Sequence, residues 1–404
     1  VGFYFLLINI SMFVSLILQF GLPQSIIKHV NILISQKSGF YINSLLKYSL
    51  LFISIVGFFI SIVLNSDFAA ELYLEFNNNE MPDYLAIYIT ILALLFSYQV
   101  FASESFRSIH RVPESMLFGG FFSTLLFLLV MFFGMHYKKL YFDEVVFMHI
   151  ASLALPVIIG IIIIFKDNNN HSPPVKKFYF FSILSTSSVI FQNNILHFLL
   201  SSLDIWMLGY FLTNANVAIY VIYIKIAALI SLPLQITFSL TPQKMSLLFD
   251  QKKYNELERL LQITSAFLST ASLLIFVSIA LFGLSIIEFL FGNDYSQNYL
   301  ALIIISSAQL LNAVSGPAGM LLNMTGFHKI GLVITIVSLL AMFILGYFLI
   351  PLYGITGAAS SLAVSLLMYN VLSVLAAKSK VGVRTYASLD SYIQMFNYLG
   401  IRKC

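Results

Sequence analysis

The chain has 404 residues, 59% of them hydrophobic and 9% charged, a balance that excludes a soluble globular domain. Its net charge of +4 is spread over the connectors between apolar runs. That spread excludes a nucleic-acid-binding face and suits contact with anionic lipid. The one cysteine, Cys404, stands last, which excludes an internal disulfide or a cysteine metal cluster.

Eleven apolar runs of about 20 residues follow one another, each long enough to cross hydrocarbon at ~1.5 Å per residue. They fall near 2–22, 44–64, 84–103, 116–135, 145–165, 179–207, 216–241, 261–283, 299–323, 330–350 and 354–377. If alternate connectors are cytoplasmic, eighteen lysines and arginines lie on that side and only Lys138 and Lys139 on the other, with Lys225 inside a run. This asymmetry orients a multi-pass protein with its C-terminus in the cytoplasm. The first run is too long for a signal peptide and lacks a basic leader and a small-residue cleavage site.

A shift of 216 residues brings the halves into register: Gly2-Phe3-Tyr4 meets Ala218-Ile219-Tyr220, and Leu85-Ala86-Ile87 meets Leu300-Ala301-Leu302. The loop-charge rhythm repeats too, with His110–Arg111 answering His328–Lys329. The halves keep one orientation, as in a parallel repeat about an axis along the membrane normal. The second half has six runs and the first five. The partner of run 179–207 would precede Val1, so the sequence reads as twelve helices lacking the first. The expected organisation is an N-terminal bundle at 1–165, a polar proline-containing linker at 166–177, a C-terminal bundle at 178–380 and a tail at 381–404. In the tail, Leu389, Tyr392, Ile393, Phe396 and Leu399 have helical spacing, which suits a membrane-surface helix, a disordered tail being the alternative.

Asp204 and Lys225 are ionisable residues within apolar runs, where facing lipid costs several kcal/mol. Counted along the helices they reach similar depth, so an ion pair between neighbouring helices is expected; it either locks the helices or serves transport. Asn193, His197, Ser201 and Asp204 follow at spacings of four, four and three, a polar stripe that either lines a wet lumen, holds helices together or binds a proton or cation. Asn9 occupies the repeat position of Lys225. Ser315-Gly316-Pro317-Ala318-Gly319 interrupts run 299–323, with Asn312 just before it, and a bend is expected near Pro317, hinged or static. Motifs for phosphate binding, zinc hydrolysis, redox thiols or serine nucleophiles are missing, so no enzyme and no cofactor is expected.

Ser201-Ser202-Leu203-Asp204-Ile205-Trp206-Met207-Leu208-Gly209-Tyr210, followed by Ala218-Ile219-Tyr220, resembles the seventh and eighth helices of bacterial polysaccharide flippases. These belong to the multidrug/oligosaccharidyl-lipid/polysaccharide exporter superfamily. Gly316-Pro317-Ala318-Gly319-Met320-Leu321-Leu322-Asn323 and Pro351-Leu352-Tyr353-Gly354-Ile355-Thr356-Gly357 are similar to that family's tenth and twelfth helices. The resemblance implies an all-α integral membrane fold, with two pseudo-twofold-related bundles in a V around a central cavity. It implies translocation of undecaprenyl-diphosphate-linked O-antigen-type repeat units across the bacterial inner membrane by alternating access. Lys225 would meet diphosphate or glycan with Asn193, His197, Ser201, Asn312 and Asn9 around it. Asp204 would orient Lys225 or bind a coupling H+ or Na+, and Gly316, Pro317 and Gly319 would form a hinge. Lipid, a polysaccharide polymerase and chain-length machinery are the partners implied. A multidrug exporter of the same superfamily is the nearest alternative, needing carboxylates deep in the helices for organic cations. A membrane-embedded polymerase is a more distant one, needing a large basic outer loop.

Overall fold

The computed structural model describes residues 2–35, 42–66, 84–137, 140–167 and 177–398, which are helical almost throughout, with no strand among them. The apolar runs dictate this, because in hydrocarbon a backbone satisfies its N–H and C=O groups only internally. In chain order the helices are α1 (Gly2–Gln19), α2 (Leu22–Ser35), α3 (Ile42–Leu64), α4 (Leu85–Ser108), α5 (Val112–Met116), α6 (Phe122–Tyr137), α7 (Phe142–Asp167) and α8 (Lys177–Phe211). Then come α9 (Asn214–Ala228), α10 (Leu232–Leu240), α11 (Pro242–Asp250), α12 (Tyr254–Phe291), α13 (Tyr299–Ser315), α14 (Ala318–Met324), α15 (His328–Ala376) and α16 (Leu389–Tyr398). Among the described residues nine helices are long and apolar enough to cross a membrane, or ten if the bent pair α13–α14 forms one span.

α15 accounts for two of the expected runs. At ~1.5 Å per residue its 49 residues would exceed 70 Å if straight, more than twice a hydrocarbon core. It folds back instead at Gly354, whose φ of 58° and ψ of −131° are non-helical, just after Pro351. The limbs then run antiparallel: Ser365 donates to the Ser338 carbonyl at 2.7 Å, and Gly357 packs on the Leu349 carbonyl. Runs 330–350 and 354–377 are these two limbs.

Two compact units result, Tyr4–Phe198 and Leu199 onward, the latter joined by the first three residues. Sequence composition set the boundary at 166–177, most of which lies outside the described residues; packing sets it inside α8. The first half of α8 is fastened to the first unit: Ser187 Oγ hydrogen-bonds Ser25 Oγ at 2.7 Å, and Phe191 lies 4.8 Å from Phe20. Ile183 joins a core of Leu22, Ile26, Leu46, Phe101, Phe106 and Ile164.

In the second unit Met245, Leu257, Leu261, Leu321, Leu322 and Val383 form a core. Buried hydroxyls join helices in both units, as expected where lipid removes any hydrophobic drive between them. Ser97 donates to the Ser15 carbonyl at 3.2 Å, and Ser272 to the Ile230 carbonyl at 2.7 Å. The described part of the tail packs on α12: Tyr392 and Ser269 hydroxyls are 2.7 Å apart, while Ser391 and Met395 are buried. Leu389 and Ile393 point outward from the same helix; Leu399 of the expected stripe lies outside the described residues.

Candidate functional site

The carboxyl of Asp204 on α8 is enclosed, at 1% exposure, and its Oδ2 accepts a 2.6 Å hydrogen bond from Tyr220 on α9. Its Oδ1 is buried with no hydrogen-bond partner among the described residues, an expensive arrangement in a low-dielectric interior. The expected ion pair between Asp204 and Lys225 is not formed. Tyr220 is six residues into α9 and Asp204 seven from the end of α8, so hydroxyl and carboxyl meet at one depth. Lys225 lies about one and a half turns deeper and on another side of the helix. The buried face of α9 is built from Val217, Tyr220, Val221 and Ala227, and Lys225 is on the exposed one. Tyr223, also on the buried side, donates to the Tyr295 carbonyl at 2.5 Å.

The other expected site residues are distributed along three helices. Asn9 on α1 is half-buried; Asn193 is half-buried and His197 exposed on the first-unit part of α8. Ser201, exposed, lies on the second-unit part with Asp204, and Asn312 on α13 is half-buried. Along α8 the stripe therefore changes from accessible to enclosed at its last member.

The expected bend is present: α13 and α14 meet at 46°. Gly316 holds φ 69° and ψ −170°, a conformation reserved for glycine. The tail is built into this corner. Ser265 Oγ donates to the Thr385 carbonyl at 2.5 Å, and Thr385 Oγ1 donates to the Ser315 carbonyl at 3.0 Å, satisfying a carbonyl that the helix break frees. Thr385 is fully buried, and Gly319 packs against the Tyr369 hydroxyl.

A second titratable cluster, absent from the sequence reading, lies in the first unit. Tyr4 on α1 hydrogen-bonds His149 Nδ1 on α7 at 2.6 Å. Phe127 of α6 lies 4.6 Å from the imidazole and Phe96 of α4 5.9 Å, edge-on. Two signals were there to find it: a histidine inside run 145–165, four residues from its start, and the register of Tyr4 with Tyr220.

No protein-family model matches the chain. Over 127 residues it is 29% identical to the "Capsular polysaccharide biosynthesis protein CapF" of Staphylococcus aureus, a stretch covering 31% of this chain and 31% of that relative's length. Among solved structures it resembles the inward-facing conformation of a multidrug resistance MATE family transporter of the MOP superfamily, with a TM-score of 0.72, 12% identity and 94% of both chains covered. It also resembles the inward closed conformation of the lipid II flippase MurJ, with a TM-score of 0.63, 13% identity and 98% of this chain and 86% of that one covered. The bent form of the Vibrio cholerae MATE transporter VcmN aligns at a TM-score of 0.61 and 16% identity, covering 96% of this chain and 89% of that one. The chain has the all-helical multi-pass membrane fold that these transporters share.

Proposed function

We propose that this chain is a flippase carrying undecaprenyl-diphosphate-linked oligosaccharide repeat units from the cytoplasmic to the outer leaflet of a bacterial inner membrane by alternating access. Lys225 carries the reading. It is a cation on the exposed side of α9, eleven residues into an apolar helix, with no ion pair to a described residue. Such a charge is costly against lipid and calls for an anion. A diphosphate joined to a polar glycan supplies one, while the polyprenyl chain stays in the bilayer. The fold shared with a lipid II flippase and the local likeness to a capsular polysaccharide biosynthesis protein support the same substrate class.

On this reading Lys225 contacts the diphosphate, and Asn193, His197, Ser201, Asn312 and Asn9 supply hydrogen bonds to the glycan. Asp204, held by Tyr220, takes the coupling H+ or Na+, and the corner at Gly316, Pro317 and Gly319 is where α13 and α14 flex. A polysaccharide polymerase and chain-length machinery would receive the product. The test is complementation of a flippase-null strain. Lys225→Ala, at wild-type membrane level, lowers surface glycan at least tenfold, as loss of a charge-assisted contact of about 1.5–3 kcal/mol requires. Unchanged surface glycan would refute the assignment.

A multidrug exporter is the second reading, favoured by the likeness to a multidrug resistance transporter. The site argues against it: Asp204 is enclosed by Tyr220, and Glu104, also buried, pairs with Arg107 at 3.1 Å, which leaves neither carboxylate open to an organic cation. Export of a cationic dye by cells carrying the chain, with no rescue of glycan, would favour this reading instead.

A further inference from the structure

We propose that the Tyr4–His149 pair binds a proton during the transport cycle, giving the first unit a titratable site of its own beside Asp204 in the second. Two independent observations meet there. In the structure, a tyrosine hydroxyl and an imidazole 145 residues apart in sequence are joined by a 2.6 Å hydrogen bond inside a helix bundle. In the sequence, the tyrosine is the repeat partner of Tyr220, whose hydroxyl holds the Asp204 carboxyl at the same distance. The duplication has kept the donor and changed what it holds.

The chemistry of the pair suits a site that gains and loses a proton. With the imidazole neutral, Nδ1 accepts from the Tyr4 O–H. With a proton added, Nδ1 becomes a donor and the Tyr4 oxygen accepts, so the bond persists in both states with its direction reversed. The ring of Phe127, 4.6 Å away, offers a π-face to the imidazolium.

Among the described residues of the packed helices, no carboxylate stands close enough to fix the charge permanently. α1 carries no charged residue. On α4 the titratable groups are Tyr88, which donates to Asp143, Tyr98, bonded to Ser54, and Glu104, paired with Arg107. On α6 such groups are confined to the last two positions, His136 and Tyr137, more than two turns beyond Phe127. On α7, Asp143 is six residues before His149, about 9 Å along the axis, Glu144 accepts from the Tyr141 N–H, and Lys166 and Asp167 end the helix. A proton on His149 is thus balanced by Tyr4 and the aromatic faces alone, and its occupancy follows how wet the cluster is. That dependence is what couples a proton to alternating access.

The role in transport rests on the flippase reading; the proton site itself does not. The full chain, labelled with 13C-histidine and purified, is titrated by NMR, and the signal lost in His149→Gln is assigned to His149. That signal is expected to titrate, with its midpoint moved by roughly half a unit or more in Tyr4→Phe. A His149 signal that does not titrate overturns the proposal, whatever the substrate. In proteoliposomes containing lipid-linked glycan, His149→Gln is expected to lose at least fivefold of the stimulation by an imposed pH gradient and to keep exchange without a gradient. Full stimulation in that variant, or loss of both activities with wild-type thermal unfolding, overturns the coupling role. If the wild type moves no glycan, the flippase reading falls and the titration still decides the site.

Discussion

Replacing Gly316 by alanine tests whether the α13–α14 corner is as tightly built as its contacts indicate. At φ 69° and ψ −170° a side chain is strained by about 1–3 kcal/mol before any neighbour is considered. The added Cβ would lie 2.6 Å from the Thr385 carbonyl oxygen and closer still to Ser265 Oγ. Thr385 is backbone held by two hydrogen bonds, so it cannot swing aside as the end of a flexible side chain would. Overpacking of this kind adds about 1–3 kcal/mol. Together the terms give a loss of roughly 2–6 kcal/mol, a large share of the ~5–15 kcal/mol that stabilises a typical domain. Thermal unfolding of the detergent-purified chain should therefore fall by several degrees, at roughly 2–4 °C per kcal/mol for a unit of this size. Ser265→Ala combined with Gly316→Ala should recover part of the loss, because the closest clash is removed while the φ strain stays. A single variant within about 0.5 kcal/mol of wild type would refute both the strain and the packing arguments.

Tyr220→Phe removes the donor to Asp204 and leaves both carboxyl oxygens unbonded; denaturation should show a loss of about 1–3 kcal/mol, and Asp204→Asn should suffer less in the Tyr220→Phe background than alone. Thr385→Val strips the hydroxyl from the Ser315 carbonyl, and Tyr392→Phe frees α16 from Ser269. Each should raise the rate of limited proteolysis between Gly382 and Tyr398 severalfold, and rates equal to wild type would mean that these bonds do not hold the tail.

The residues announced the helices because hydropathy at this level leaves the backbone no other solution. The corner at Pro317 was legible for the same local reason, since proline and glycine act on their own helix. What the sequence did not carry was azimuth. Counting along α8 and α9 brought Asp204 and Lys225 to similar depth, but which side of α9 faces α8 depends on packing by Val217, Val221 and Ala227, and that side presents Tyr220. The same gap hid Tyr4 and His149, which lie far apart in the chain and meet only once α1, α4, α6 and α7 are assembled. The tail was half legible: its helical spacing was visible, while the hydroxyl bonds that seat it in the corner depend on partners 120 and more residues away.

The fold-back at Gly354 has a bearing on how the chain is made. Three residues, Pro351, Leu352 and Tyr353, separate its two apolar limbs, and none is charged. Leu352 and Tyr353 stand 73% and 64% exposed at the apex, a composition at home in the interfacial zone of a bilayer. During synthesis such a segment has no hydrophilic stretch to push across, so the limbs can partition into lipid as one preassembled hairpin.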